Sequence, residues 1–355
     1  MDRIPVFDGH NDTLLNLMLP KRGKGRGFFE ESAVGHVDFP RALEGCFAGG
    51  FFACCAPPDP RARRTEEAAF RITDGGYEVV GSPPLDPIYA RGVADEMTAL
   101  LFRLEEESGD NLRVVRTAAE IDDCLENGVL AAILHFEGAE NLGLEPGAVE
   151  ELYALGLRSL GLVWSRPNAY ASGVPFQFPA SPDTGPGLTE AGRNLIRRCN
   201  RLGVLVDLSH LNEKGFWAVA GLSEAPLVAT HSNAHALCPS SRNLTDRQLD
   251  AIRDSDGMVG VNFAVAFLRE DGHENTDTPL ETVVRHVDHL VDRLGIDRVG
   301  FGSDFDGAKV PKEMGDVSGL PKLMAALREH GYGETELRKL AHENWVRVLR
   351  ATWGG

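Results

Sequence analysis

The chain has 355 residues, 53 acidic against 36 basic, which gives a formal net charge of −17 at pH 7. This charge, without a clustered basic stripe, argues against a nucleic-acid-binding protein. A hydrophobic fraction of 43% with 25% charged residues is typical of a soluble globular chain that buries a large core. The only basic run, KRGKGR at 21–26, contains glycines, so we expect a mobile, solvated loop there.

Eight short apolar runs bounded by glycine or polar residues recur along the chain, a pattern typical of buried parallel strands. They lie at 4–10, 46–56, 129–138, 157–164, 203–210, 226–232, 258–264 and 298–307. Helical patterns separate these runs, and eight alternating units predict an α/β protein closed into a (β/α)8 TIM-type barrel.

The segments between the predicted strands are expected to form helices, one insertion and one long loop. Segment 188–203 begins with a Thr189 cap and ends at Gly203, segment 278–295 carries apolar residues on one face, and 335–353 is the expected closing helix. Segment 57–128 predicts a helical insertion after the second strand, with one helix near 86–107. The Pro/Gly-rich segment 165–188 is expected to be a loop over the barrel mouth. No internal boundary is evident, so residues 1–355 are expected to form a single domain.

The first residues and the cysteines bear on the compartment. The start of the chain lacks the apolar region of a signal peptide, and no run approaches the roughly 18–20 apolar residues of a membrane helix. Cys54 and Cys55 are adjacent, and the other four cysteines lack Cys-x-x-Cys spacing, so neither a disulfide framework nor a thiolate zinc site is predicted. We therefore expect a cytoplasmic protein without a membrane partner.

Imidazole and carboxylate side chains occupy the carboxyl ends of the predicted strands, which form one face of such a barrel. They are His10 and Asp12 at the first strand, Glu137 at the third, His210 at the fifth, His231 at the sixth and Asp304 at the eighth. Residues far apart in sequence are thus expected to converge where barrel enzymes build their active sites.

These residue types suit a catalytic zinc site, because no thiolate is nearby. His10 and Asp12 are two residues apart, so in extended backbone they point to the same side and can hold one ion. Glu137 can bridge to a second ion held by His210 and His231. Two ions about 3.5–4 Å apart can share a water and supply hydroxide near neutral pH.

Other interpretations of single residues stay open. A lone His-x-Asp pair can simply be a hydrogen-bonded pair, and Glu140 competes with the strand-end glutamate. Asp207 can orient a neighbouring group instead of binding metal. His135 can point into the barrel, whereas His286 and His289 are expected to be ordinary residues of a helix face or the surface.

Five motifs in order carry a family resemblance over nearly the whole chain. They are DGHND (8–12), HFEG (135–138), DLSH (207–210), THSNAHALCPSSRN (230–243) and GSDFDG (302–307). With them the chain resembles the renal (membrane) dipeptidase family, peptidase family M19 of the amidohydrolase-like barrels. The resemblance implies two Zn²⁺ ions, a small dipeptide substrate and a possible homodimer.

The resemblance also implies roles for individual residues. His10 and Asp12 match the ligands of one zinc, Glu137 matches the bridging carboxylate, and His210 and His231 match the ligands of the second zinc. Arg242 matches the arginine that binds the terminal carboxylate of the dipeptide, although it can alternatively pair with a structural acid. Asp304 matches the aspartate that moves the proton from the water to the leaving amine, whereas Asp306 is expected to cap the loop.

One position departs from the family pattern. Trp164 stands where family members commonly have a histidine that binds substrate and stabilises the oxyanion. An indole donates one hydrogen bond but cannot become cationic, so Arg166 or Asn168 can supply the missing function, or Trp164 is a pocket wall.

The expected function is therefore that of a zinc-dependent dipeptidase. The resemblance implies hydrolysis of small dipeptides, including those with a C-terminal D-residue, by attack of a metal-bridging hydroxide. The alternatives are another amide or lactam hydrolase of the same superfamily, or a non-catalytic metal-binding relative.

Overall fold

In a computed structural model the described residues are 4–61, 70–73, 75–79, 82–145 and 147–354. Their strands are β1 (Val6–Asn11), β2 (Phe47–Cys54), β3 (Phe70–Thr73), β4 (Gly76–Val79), β5 (Leu112–Val114), β6 (Leu130–Glu137), β7 (Ser159–Gly161), β8 (Gln177–Phe178), β9 (Leu205–Asp207), β10 (Val228–Ala229), β11 (Met258–Val261) and β12 (Val299–Phe301). Their α-helices are α1 (Thr13–Met18), α2 (Pro20–Gly23), α3 (Phe39–Glu44), α4 (Pro87–Glu107), α5 (Ala118–Asn127), α6 (Ala148–Leu155), α7 (Glu190–Leu202), α8 (Glu213–Ala220), α9 (Asp246–Asp254), α10 (Val265–Leu268), α11 (Leu280–Leu294), α12 (Leu320–His330), α13 (Glu334–Arg338) and α14 (Asn344–Trp353).

Eight parallel strands close into a barrel. Their order around the ring is β1, β2, β6, β7, β9, β10, β11 and β12, and β12 pairs again with β1. Each of the eight predicted apolar runs coincides with one of these strands, with β1 extending one residue beyond its run, so the predicted (β/α)8 barrel is confirmed. The strands are almost continuously buried on both faces, as a parallel sheet covered by helices requires.

The insertion after the second barrel strand contains more than helices. The predicted helix is α4, which begins after Asp86, whose side chain accepts hydrogen bonds from the backbone of Ile88 and Tyr89. Before it, β3 and β4 form an antiparallel hairpin that pairs with β8 from the loop over the barrel mouth. This small sheet was not predicted, and residues 62–69, 74 and 80–81 of the insertion lie outside the described residues.

The predicted outer helices are confirmed, and the helix of segment 188–203 begins and ends at the residues predicted for it. Thr189 caps α7 by accepting a hydrogen bond from the Gly192 backbone, and Gly203 ends it in the left-handed conformation, with a φ of 70°. The closing helix is divided into α13 and α14 by a π-helical turn at Lys339–Glu343. Trp345 in α14 is fully buried and donates a hydrogen bond to the Phe301 carbonyl, which ties the helix to the barrel.

The basic run at 21–26 is mostly solvent-exposed, as expected, but it is not entirely a loop and the side chain of its last residue is buried. Its first residues belong to α2, and the Arg26 side chain is only 3% exposed. Arg26 donates hydrogen bonds to Asn16, to the Val37 carbonyl and to Asp306. The expectation is wrong for Arg26 because its partners come from distant parts of the chain.

Two observations bear on the expected compartment. Within the described residues, no helix is both long enough and apolar enough to span a membrane. All six cysteines carry free thiols. A single domain over 1–355 stays a prediction.

Candidate active site

The five predicted metal ligands lie together at the carboxyl ends of the barrel strands. His10 belongs to β1 and Asp12 follows that strand, whereas Glu137 is the last residue of β6. His210 and His231 follow β9 and β10 within three residues. All five side chains are buried.

One carboxylate oxygen lies at the centre of the group. Glu137 Oε1 is 2.8 Å from His210 Nε2, 3.4 Å from His231 Nε2 and 3.7 Å from His10 Nε2. The two Nε2 atoms of His210 and His231 are 3.0 Å apart, and His10 Nε2 is 3.6 Å from Asp12 Oδ2. The five side chains therefore share one cluster of donor atoms, with Glu137 between the histidines.

The donor set fits metal ions. Both ring nitrogens of His10 are buried without a hydrogen-bond partner, which is costly for a group that nothing else binds. Two overlapping sets have ligand atoms within 4.8 Å of one another, namely His10 with Glu137 and His231, and His10 with Asp12 and Asp304. Imidazole and carboxylate donors at this spacing suit zinc or a similar divalent ion.

The electrostatics of the cluster favour bound positive charge. Burial disfavours an imidazolium, yet the attraction of Glu137 and Asp12 outweighs it and raises the pKa of His10 to about 10. Burial also disfavours a carboxylate, but His10 and His210 outweigh it and hold the pKa of Glu137 well below its usual value. The site thus attracts a cation, a role that a proton fills when no metal is bound.

The two remaining histidines are neutral, as metal ligands must be. Burial, with the nearby Arg242 cation, lowers the pKa of His210 to about 4. Burial, with the charges of His10 and Arg242, holds the pKa of His231 well below its usual value. The hydroxyl of Ser165 lies 2.7 Å from His210 Nδ1, so His210 Nε2 faces the cluster.

A relay of hydrogen bonds fixes the tautomer of His231. The Thr230 hydroxyl donates to Asp207 at 2.6 Å, so it accepts from His231 Nδ1 at 2.8 Å. The lone pair of His231 Nε2 is then free to bind a metal. The interpretation of Asp207 as an orienting group is confirmed.

Asp304 stands at the edge of this cluster in a strained conformation. It follows β12 with a φ of 60°, and His210 has a φ of 66°, values in the left-handed region that is uncommon for non-glycine residues, although Asp and His adopt it more often than most. Asn262 Nδ2 donates to Asp304 Oδ2 at 2.9 Å, and within the described part of the chain the other carboxylate oxygen accepts no hydrogen bond. Asp306 instead accepts hydrogen bonds from Arg26 and the His36 backbone, so its predicted structural role is confirmed.

Arg242 is buried beside the cavity, and among the described residues no acidic side chain forms an ion pair with it. Its Nη1 donates to the Ser232 hydroxyl and its Nη2 to the His231 carbonyl, both at 3.1 Å. Its Nε is buried without a partner, and no ion pair to it occurs in the described part of the chain. The alternative of a structural acid for Arg242 is therefore wrong for the described residues.

Trp164 is a wall of the cavity. Its ring stacks against His210 with 5.9 Å between centroids and packs edge-on against Phe176 at 5.2 Å. The Arg166 guanidinium lies 5.0 Å from the Trp164 ring and is also held by Glu140, with 2.8 Å between Nε and Oε1. Arg166 is thus engaged in a buried ion pair.

Several other expectations concern residues outside the cluster. Asn168 donates to the Leu162 carbonyl, a structural role. His135 lies inside the barrel with its ring centroid 5.6 Å from that of His10. His286 is fully buried rather than on a surface, because it accepts from the Ala234 backbone and donates to the Leu268 carbonyl.

A cavity of about 1090 Å³ opens above the cluster. Among the predicted site residues it is lined by Asp12, Glu137, Trp164, His210 and Asp304. The other predicted residues, His10, His231 and Arg242, are buried next to these lining residues.

Comparison with known proteins gives the same assignment across the whole chain. The model of the membrane dipeptidase family (peptidase family M19) matches residues 1–353. A protein from the pqqA 5′ region of Klebsiella pneumoniae is 52% identical over 272 residues, which are 77% of this chain and 99% of that protein.

Two crystal structures share the fold closely. The structure of dipeptidase AC, a metallo peptidase of family M19, has a TM-score of 0.92 and 52% identity and covers 100% of both chains. A metallo peptidase from Rhodobacter sphaeroides, bound to a phosphinate mimic of the dipeptide L-Ala-D-Ala, also has a TM-score of 0.92 and 52% identity and covers 99% of this chain and 100% of that one. The chain belongs to the membrane dipeptidase family, peptidase family M19, and it is a metallo-dipeptidase.

Proposed function

We propose that this metallo-dipeptidase uses two Zn²⁺ ions to hydrolyse small dipeptides, including those with a C-terminal D-residue. The observation that carries the proposal is the cluster of three imidazoles and two carboxylates around Glu137 Oε1 at the base of the cavity. The Rhodobacter sphaeroides relative, which binds a mimic of L-Ala-D-Ala, supports the substrate class.

The ligand assignment is the one that the family resemblance implies, and the short distances between His10 and Asp12 and between His210 and His231 support it. His10 and Asp12 would hold one ion, His210 and His231 the other, and the carboxylate of Glu137 would bridge them. When bound, two zinc ions polarise the scissile carbonyl and lower the pKa of a shared water, so that hydroxide is available near neutral pH.

The protein's own side chains handle the proton and the substrate. Asp304, held through one oxygen by Asn262, accepts the proton of the attacking water on its free oxygen and passes it to the leaving nitrogen. Arg242 binds the terminal carboxylate of the dipeptide, because a buried guanidinium without an acidic partner is stabilised by an anionic ligand. Trp164 contacts the substrate as a wall of the cavity.

The test combines metal analysis with turnover of wild type and Asp304→Asn. We expect zinc-loaded wild type to cleave L-L and L-D dipeptides, and Asp304→Asn to lose about 10²–10⁴-fold in kcat while it keeps two zinc ions. Dipeptide amides, which lack a carboxylate for Arg242, should be at least about tenfold poorer substrates. Asp292→Asn, an exposed change on α11, is the matched control.

The outcomes separate the alternatives. Intact dipeptides together with cleaved N-acyl amino acids or lactams would indicate the other amide hydrolase. A protein that binds metal, cleaves none of these substrates and is indifferent to Asp304→Asn would be a non-catalytic relative.

A further inference from the structure

Three aromatic side chains form a continuous surface on one side of the cavity. Trp164 packs edge-on against Phe176 at 5.2 Å, and Phe176 stacks on Phe267 with 5.9 Å between centroids and 24° between the ring planes. All three line the cavity. We call Trp164, Phe176 and Phe267 the aromatic wall.

The aromatic wall extends between the two points that position a dipeptide in the proposed function. At one end Trp164 and Phe176 contact His210, with centroid distances of 5.9 and 6.2 Å. At the other end the Phe267 ring centre lies 5.9 Å from the guanidinium carbon of Arg242. A dipeptide with its scissile bond at the metal cluster and its carboxylate at Arg242 therefore has its C-terminal residue beside this wall.

The cavity lining beside the wall is apolar on one side and charged on the other. Before Phe267 the lining residues are Ala264, Val265 and Ala266, and after it they include Glu270, Asp271, His273 and Glu274. Two guanidinium groups lie near the wall, and that of Arg166 is paired with Glu140. An apolar substrate side chain placed against the rings themselves would gain contacts, whereas a charged one would lose water there.

The cavity also exceeds what the smallest dipeptides fill. Its volume of about 1090 Å³ lies slightly above the usual range of about 300–1,000 Å³ for sites that hold drug-sized ligands. Aromatic side chains pair favourably with rings in edge-on or offset arrangements, and the wall offers both faces and edges.

We propose that the aromatic wall receives the side chain of the C-terminal residue, so that the enzyme selects dipeptides with a large apolar, above all aromatic, residue at that position. The inference rests on the proposed dipeptidase function and names its preferred substrates. Phe176, which contacts both other rings, is the specificity-determining residue.

The experiment compares kcat/KM for L-Ala-L-Phe, L-Ala-L-Ala and L-Ala-L-Lys, with L-Phe-L-Ala as the reversed sequence. For wild type we expect kcat/KM for L-Ala-L-Phe to exceed that for L-Ala-L-Ala and for L-Ala-L-Lys by at least about tenfold, the scale on which hydrophobic pockets discriminate between substrates. In Phe176→Ala the ratio of kcat/KM for L-Ala-L-Phe to kcat/KM for L-Ala-L-Ala should fall by about tenfold. In Phe176→Leu this ratio should lie between the values for wild type and Phe176→Ala. Because the ratio compares two substrates on one preparation, the fraction of folded enzyme cancels.

Phe102→Ala is the matched control, since Phe102 is a partly buried phenylalanine of α4 that does not line the cavity. Equal turnover of L-Ala-L-Phe and L-Ala-L-Ala, or an unchanged ratio in Phe176→Ala, would overturn the inference and leave the dipeptidase function intact. A preference that follows the N-terminal residue, with L-Phe-L-Ala the better substrate, would overturn it as well. Failure to cleave any dipeptide would instead overturn the proposed function, and this inference with it.

Discussion

At the scale of single residues, a neighbouring hydroxyl sets the orientation of two of the three imidazoles in the cluster, those of His210 and His231. Thr230 fixes the tautomer of His231 by donating to Asp207, and Ser165 holds Nδ1 of His210. Such partners keep the metal-binding nitrogen aimed at the site and contribute to metal affinity.

Thr230→Val should therefore weaken zinc binding while it preserves the fold. Valine keeps the shape of threonine but cannot accept the His231 Nδ1 proton, and loss of such a partner typically costs about 10–100-fold in metal affinity. Competition with a chromophoric chelator measures the change. Thr98→Val, at a buried threonine of α4, is the control, and equal affinity in Thr230→Val and wild type would refute the orienting role.

The sequence identified the residues of the cluster better than the residues that support them. His10, Glu137 and His231 are identifiable because histidine and glutamate at strand ends are unusual and the barrel face gathers them. Ser165 and Asn262 could not be identified, because serine and asparagine are common in loops and only tertiary contacts show what they bind.

At the scale of elements, the loop after β12 is fixed on two sides. Asp306 accepts from Arg26 and from the His36 backbone, and its own backbone donates to His36 Nδ1. On the other side Gly307 lies against Asp12 and Asp304 so closely that an added Cβ would be 2.0 and 2.3 Å from their carboxylate oxygens. The loop can hold these two carboxylates only with glycine at this position.

Gly307→Ala should displace the Asp12 and Asp304 carboxylates. Because misplacement of reacting groups by about 1 Å can cost about 10²-fold, we expect kcat/KM to fall at least that far and zinc occupancy to decrease. Gly92→Ala on α4, where an added Cβ meets nothing within 4 Å, is the matched control and should be neutral or slightly stabilising. Full activity in Gly307→Ala would show that the loop tolerates a shift and would contradict its positioning role.

The eight barrel strands were predictable and the small sheet at the mouth was not. Each barrel strand is an apolar run with turn residues on both sides, a local signal. The strand β8 has two residues, and its Phe178 pairs with Tyr77, about a hundred residues earlier in the chain. A local sequence pattern cannot reveal a strand of two residues whose partner lies so far away in the chain.

At the scale of the whole molecule, buried histidines make stability depend on pH. His286 is one that is distinct from the proposed ligands, and burial lowers its pKa to about 4, against about 6.5 in an unfolded chain. Above pH 6.5 the group is neutral in both states. As the pH falls from 6.5 to 4 only the unfolded state gains the proton, so the free energy of unfolding falls by up to about 1.4 kcal/mol per pH unit.

His286→Gln should therefore flatten the pH profile of stability. Urea unfolding of chelator-treated protein between pH 7.5 and 4.5 measures the slope, and the variant should be less stable at pH 7.5 but lose less stability on acidification. His273→Gln changes an exposed histidine and serves as the control. Parallel profiles for His286→Gln and wild type would show that His286 does not contribute.

The central claim is that one set of five side chains holds two zinc ions at the barrel mouth. Anomalous diffraction from zinc-loaded crystals, collected on both sides of the zinc absorption edge, tests it most directly. We expect two peaks about 3.5–4 Å apart, with Glu137 between them, His10 and Asp12 beside one and His210 and His231 beside the other. A single peak, or peaks away from these five residues, would contradict it.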